Sequence, residues 1–276
     1  MLTDYHVHLR PDDEDTPPAR YFTPANADRY RTVAAERGIE ELGVAEHVYR
    51  FSQALEVWDH PFWRPWAVDD LDDYCAFVRD ETDLRLGIEA DFVPGREDRM
   101  ANLLEARDWD YVVGSVHFVS DMAVDLDDEW DIWRRGESPE RVWKRYFEWV
   151  AEAARTGMYD VMAHPDLIKV HGASRPRPDG DLRRYYEPVV GAFLDAGVAV
   201  EMSTAGLRKP VGELYPSRPF LELVAEAGCP IALSSDAHVP DQLGFRYEDA
   251  VAALAEAGIT ELAVFERRER RMEPIG

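Results

Sequence analysis

Short apolar runs alternate with longer amphipathic segments along almost the whole chain. The runs cover Tyr5–Leu9, Leu42–Glu46, Leu86–Ala90, Tyr111–His117, Val161–His164, Val198–Met202, Ile231–Ser235 and Glu261–Phe265. Runs this short and this rich in Val, Ile and Tyr predict buried strands. Between them, helical spacing of apolar positions predicts helices over Ala25–Arg37, Leu71–Asp80, Arg96–Ala106, Pro139–Thr156, Asp181–Ala196, Pro219–Ala227 and Tyr247–Ala257. Four of these helices run into a glycine just before the next strand, at Gly38, Gly197, Gly228 and Gly258. Glycine there adopts the left-handed conformation that stops a helix.

Strand, helix, glycine, strand is the pattern of parallel β/α units. Seven or eight of them in one chain predict a single α/β domain over 1–276, closed as a TIM-like barrel. An open, doubly wound sheet is the alternative architecture. Two connections are long, 48–70 and 118–138, and segments of that length in a compact domain are commonly functional. The first carries Trp58, Trp63 and Trp66, the second Asp121, Asp125, Asp127, Asp128, Trp130, Asp131 and Trp133.

Composition narrows the function. With 55 acidic against 31 basic residues, the net charge is −24, a field that repels nucleic acid and anionic membranes. An anionic small molecule stays admissible, because bound cations reverse the local sign. No apolar stretch is long enough for a membrane span and no secretory pattern opens the chain, so a cytoplasmic protein is expected. The two cysteines, Cys75 and Cys229, form no C-x-x-C pair.

The histidines change the picture most. Six of the eight fall at the C-terminal ends of predicted strands: His6, His8, His47, His117, His164 and His238. In a β/α barrel those ends ring the active-site mouth. Residues two apart on a strand share a face, so His6 with His8, and Asp236 with His238, can each grip one cation. Glu89 adds a carboxylate at a third strand end, and a carboxylate can bridge two ions. Mixed imidazole and carboxylate donors suit zinc, iron or manganese rather than calcium. Singly, each residue has an ordinary reading: a core histidine, a helix cap, a surface ion pair. Jointly, they point to a metal cluster. His60 and His171 are expected to be ordinary loop histidines.

The segments D-Y-H-V-H at 4–8, G-V-A-E-H at 43–47, G-I-E-A-D-F-V-P-G at 87–95 and D-Y-V-V-G-S-V-H at 110–117 carry a resemblance. H-P-D-L-I-K at 164–169, E-M-S-T-A-G-L-R-K-P at 201–210 and L-S-S-D-A-H at 233–238 continue it in order. The chain resembles the polymerase-and-histidinol-phosphatase (PHP) family, within it the histidinol-phosphate phosphatase branch. The resemblance implies a distorted seven-stranded β/α barrel with three metals at its mouth. It implies one metal on His6, His8, Glu89 and Asp236, and a second on Glu89, His117 and His164. A third would use His47, His238 and a carboxylate, Asp13 or Glu14, with Asp12 and Asp15 as neighbours able to replace them.

The resulting expectation is hydrolysis of a small phosphate monoester by a metal-bridging hydroxide, with two or three divalent ions and with Glu89, Asp236 and His238 at the reacting centre. Arg208 and Lys169 match the family's basic phosphate-binding positions, and the branch implies L-histidinol phosphate as substrate. A nucleotide or sugar phosphate, or a metal-binding domain without catalysis, are the alternatives. An amidohydrolase fits less well, because the candidate bridge is Glu89 and no lysine stands at the end of a middle strand.

Overall fold

The computed structural model describes residues 1–12 and 20–276. In chain order the elements are β1 (Thr3–Asp4), α1 (Pro24–Glu36), β2 (Glu41–His47), α2 (Trp63–Trp66), α3 (Leu71–Glu81), β3 (Arg85–Asp91), α4 (Glu97–Glu105) and β4 (Tyr111–Ser115). A small hairpin, β5 (Phe118–Val119) and β6 (Met122–Ala123), precedes α5 (Pro139–Arg155) and β7 (Val161–Met162). The chain ends with α6 (Arg183–Ala196), β8 (Ala199–Ser203), α7 (Arg218–Ala227), β9 (Ile231–Ser234), α8 (Tyr247–Glu256), β10 (Glu261–Glu266) and β11 (Glu269–Pro274).

Seven parallel strands make one sheet in the order β1-β2-β3-β4-β7-β8-β9. Just past β1, Val7 bridges Ala237 in parallel, and His8 N–H donates to Ala237 O at 2.8 Å. On its other side, Ala45 N–H donates to Val7 O at 2.9 Å, so the N-terminal segment joins both edges of the sheet. The Asp4 carboxylate reinforces the seam by accepting from Ser235 Oγ at 2.5 Å and Ser235 N at 3.1 Å. The expected barrel is therefore found, nearly closed, and not the open sheet.

Local chemistry explains the elements. In α5, Val142, Trp143, Tyr146, Phe147, Val150, Ala151, Ala153 and Ala154 are buried, the three-to-four spacing that turns one stripe to the core. Ser138 caps its start by accepting from Arg141 N–H, and Pro139 occupies the first turn, where its missing donor is harmless. Asp70 caps α3 by accepting from Asp72 and Asp73 N–H. Gly197 and Gly228 end α6 and α7 at φ 67° and 73°. Each large side chain buried this way contributes roughly 1.5–3 kcal/mol.

Two expectations change. The run at 261–265 is a strand but not a barrel strand: β10 pairs antiparallel with β11. Its buried residues Ala263, Val264 and Phe265 belong to one cluster with Tyr5, Tyr111 and Val161, which plugs the barrel floor. The run at 5–9 yields only the isolated bridge at Val7, with the short β1 just before it, because its histidines turn into the site. The two long loops meet over the opposite end, where Trp58 and Phe62 pack against Phe118 at ring separations of 5.2 and 5.5 Å.

Candidate metal centre

Parallel pairing places the ligand candidates. His47 and Glu89 are register partners on β2 and β3, and Asp91 lies opposite Ser115, two residues before His117. His164 follows β7, and Asp236 and His238 follow β9. His164 and Asp236 have φ of 24° and 51°, a left-handed backbone that non-glycine residues rarely adopt. Such strain is characteristic of functional turns, and here it points both side chains into the ring of strand ends.

Glu89 occupies the centre and is fully buried. Its Oε1 faces His164 Nε2 at 3.2 Å and His117 Nε2 at 3.4 Å. Its Oε2 faces His47 Nδ1 at 2.5 Å, His6 Nε2 at 3.3 Å and His8 Nε2 at 3.8 Å. Asp236 Oδ1 stands 3.3 Å from His8 Nε2 and 3.8 Å from His6 Nε2. Four overlapping triads bring their ligand atoms within 4.8 Å of one another: His6–His8–Asp236, His6–Glu89–His164, His47–Glu89–His117 and His8–His47–His238.

All eight described candidates for metal ligation thus converge on one spot. His47 is not confined to the His238 group. Its Nδ1 touches Glu89, while its Nε2 lies 3.3 Å from His238 Nε2. Asp13 and Glu14 lie outside the described residues. The adjacent Asp12 does reach the site, with Oδ2 3.5 Å from His238 Nε2 and Oδ1 accepting from Arg50 Nη2 at 2.6 Å.

The donor atoms fit divalent cations. His6 Nε2, His8 Nε2, His47 Nδ1, Glu89 Oε2 and Asp236 Oδ1 are all buried without a hydrogen-bond partner among the described residues. Five such atoms pointing at one another carry a desolvation penalty that a shared cation relieves. Burial holds His47 well below the ordinary histidine pKa and brings His238 down to about 4, whereas neighbouring carboxylates overcome burial at His6, His8 and His117 and raise them, His117 to about 10. Burial opposes ionisation of Glu89, but His47, His6 and His117 outweigh it and keep the carboxyl well below its usual range.

A surrounding set of carboxylates orients the rings. His6 Nδ1–H donates to Glu201 Oε1 at 2.7 Å and His117 Nδ1–H donates to Asp91 Oδ1 at 2.8 Å, which turns each Nε2 toward Glu89. Glu201 also accepts from His164 N–H and Ser234 Oγ, both at 2.6 Å. Glu46 accepts from Leu9 N–H at 2.6 Å and from buried Arg50 at 2.7 Å. The histidine count gave no direct signal for these acids; period-two placement did, since Glu201 and Asp91 sit on strands and face inward.

Residues 24–205 match the family model described as the PHP domain. The chain belongs to the PHP domain family. Across 284 aligned residues it is 32% identical to a Deinococcus radiodurans protein named "Probable histidinol-phosphatase", with 99% of each chain covered. A histidinol-phosphatase of Lactococcus lactis is 21% identical over 266 residues, 95% of this chain and 92% of that one. The PHP barrel also superimposes on the crystal structure of a Lactococcus lactis histidinol phosphate phosphatase complexed with zinc, L-histidinol and phosphate. That match has a TM-score of 0.69 at 19% identity and covers 98% of each chain.

Over the PHP centre opens a cavity of about 830 Å³, lined by His47, His117, His164, Asp236 and His238 at its base. Asp125, Asp127, Asp128 and Glu129 line its acidic side, with Tyr49, Phe62, Trp66 and Trp130 as aromatic surfaces. Arg208 Nη2 donates to Ser235 O and Asp236 O, each at 2.8 Å, while its buried Nη1 has no partner among the described residues. Neither Arg208 nor Lys169 is among the residues that line the cavity. Unlike Arg208, Lys169 has its charged group fully engaged, held by Asp166 at 3.0 Å, Glu213 at 3.3 Å and Leu214 O at 2.7 Å. His60 packs among Trp58, Phe118 and Trp130, whereas His171 lines the cavity and donates to Leu126 O at 3.2 Å. Among the described residues, no helix is long and apolar enough to cross a membrane.

Proposed function

We propose that this chain is a metal-dependent phosphomonoesterase that hydrolyses L-histidinol phosphate to L-histidinol and phosphate. The observation that carries the reading is Glu89, whose two oxygens divide the surrounding histidines into two groups as a bridging carboxylate would. His6, His8, His47 and Asp236 lie on its Oε2 side, His117 and His164 on its Oε1 side. His47, His238 and Asp12 form the basis of a third position, giving two or three ions of zinc, iron or manganese. When bound, such ions supply Lewis acidity toward phosphoryl oxygens and acidify water for attack at phosphorus.

The protein's own groups then bind and orient the ester. The free Nη1 of Arg208, fixed beside Asp236 by two carbonyl bonds, suits a phosphoryl oxygen. Lys169 supports the 213–215 segment, its charge already neutralised. The substrate's ammonium suits the carboxylates of Asp125, Asp127 and Asp128, and its imidazole suits stacking on Trp130 or Trp66. The names of the relatives in Deinococcus radiodurans and Lactococcus lactis support this choice of ester over a nucleotide or sugar phosphate. Metal analysis and phosphate release from a panel of esters on one sample test the reading. Chelation should abolish release and readdition of metal restore it; release that ignores a chelator, or a preference for nucleotides, would refute it.

A further inference from the structure

Tyr215 is a cavity residue that the ligand cluster leaves without a task. Its backbone is clamped to the end of β8: Ser203 N–H donates to Tyr215 O at 2.6 Å and Tyr215 N–H to Ser203 O at 3.0 Å. The ring is fixed from two more directions. Lys169 Nζ lies 5.2 Å from its centroid, and Gly206 comes so close that an added Cβ would stand 3.1 Å from the ring carbons. Its centroid is 6.3 Å from that of His164, so it borders the metal centre rather than the acidic side of the cavity.

The side chain is 1% exposed and lines the cavity, yet its hydroxyl has no hydrogen-bond partner among the described residues. Tyr111 and Tyr159 also bury unpartnered hydroxyls, but neither lines the cavity. Tyr215 therefore combines a rigid mount, a buried orphan donor and access to ligand. A phenol placed so is satisfied when a ligand oxygen accepts its hydrogen.

We propose that Tyr215 Oη donates a hydrogen bond to the phosphoryl group of the bound ester and to the phosphate it releases. This rests on the phosphomonoesterase reading and adds a contact that neither the metal ligands nor Arg208 supply. A neutral donor mounted on the barrel rim is preorganised for oxyanion stabilisation, because no side-chain rearrangement accompanies the reaction.

The test is Tyr215→Phe in the metal-loaded full chain, which removes the hydroxyl and keeps the ring. Steady-state hydrolysis, inhibition by inorganic phosphate, metal content and melting temperature are measured beside the parent. Inorganic phosphate has no ammonium or imidazole, so its inhibition constant isolates the phosphoryl contact. A loss of kcat/KM on the order of 10- to 100-fold is expected, with weakened phosphate inhibition and unchanged metal content and melting temperature. Unchanged phosphate inhibition would overturn the proposal, as would loss of metal, which would make Tyr215 a support for His164 instead. A parent that hydrolyses other esters but not histidinol phosphate would overturn only the substrate, while one that neither binds phosphate nor hydrolyses any ester would overturn both readings.

Discussion

Glu201 Oε1 lies 2.7 Å from His6 Nδ1, so the proton on that nitrogen points away from the cluster and Nε2 points into it. The same carboxylate accepts from the His164 backbone at 2.6 Å, tying two strand ends that each offer a ligand. Removal of an orienting partner of this kind typically weakens metal binding about 10- to 100-fold. Glu201→Gln should fold and show that loss in a chelator competition. Glu201→Ala should also lower the melting temperature, because buried donors on His6, His164 and Ser234 lose their acceptor. Parental metal affinity in the Gln variant would show that the ring orientation is set elsewhere.

The contrast between Glu201 and Glu89 shows what was legible in the chain. Glu89 and Glu201 hold the same place, fourth in the five-residue apolar runs at 86–90 and 198–202, so strand position points to both carboxylates equally. The resemblance gives Glu89 a ligand role and gives Glu201 none, and so leaves the supporting carboxylate out. The barrel itself was readable from the strand–helix–glycine rhythm, and helix limits fell within two residues of the capping signals. The role of β10 was not: an apolar run says that a strand is buried, but not whether it joins the sheet or plugs it. Lys169 was legible only in part: Asp166 stands three residues before it, but Glu213 and Leu214, which complete its set of partners, are more than forty residues away in sequence.

Asp12 gives the third metal position a specific test. Its Oδ2 is 3.5 Å from His238 Nε2, and Arg50 holds its other oxygen at 2.6 Å. Asp12→Asn keeps the shape and removes the charge. Metal stoichiometry should fall by one weakly held ion, and activity should recover with excess metal in the assay. If the stoichiometry holds in Asp12→Asn but falls in Asp13→Asn or Glu14→Gln, the ligand belongs to one of those residues.

Arg208 separates phosphate binding from metal binding. Its guanidinium is fixed by Ser235 O and Asp236 O rather than by the ligand atoms themselves. Arg208→Ala should therefore lose most phosphatase activity while retaining its metals. Lysine at this position should rescue only partly, because a point charge cannot keep both carbonyl bonds and still reach a phosphoryl oxygen. Unchanged steady-state kinetics in Arg208→Ala would remove it from the site.

The acidic side of the cavity should act on the substrate's cation and not on the chemistry. Asp125, Asp127 and Asp128 all line the cavity, and no lysine or arginine pairs with them among the described residues. Their attraction for an ammonium is partly screened by water, so each contributes about 1 kcal/mol or less. Replacing all three with asparagine should raise KM for histidinol phosphate roughly 5- to 50-fold, with kcat changed little. A phosphate monoester of similar size that lacks the ammonium should show no such rise. The parent's KM should also climb with salt, and that dependence should flatten in the triple variant. A kcat effect of equal size on both esters would mean that these carboxylates act on the metal centre, through its field, rather than on the ligand.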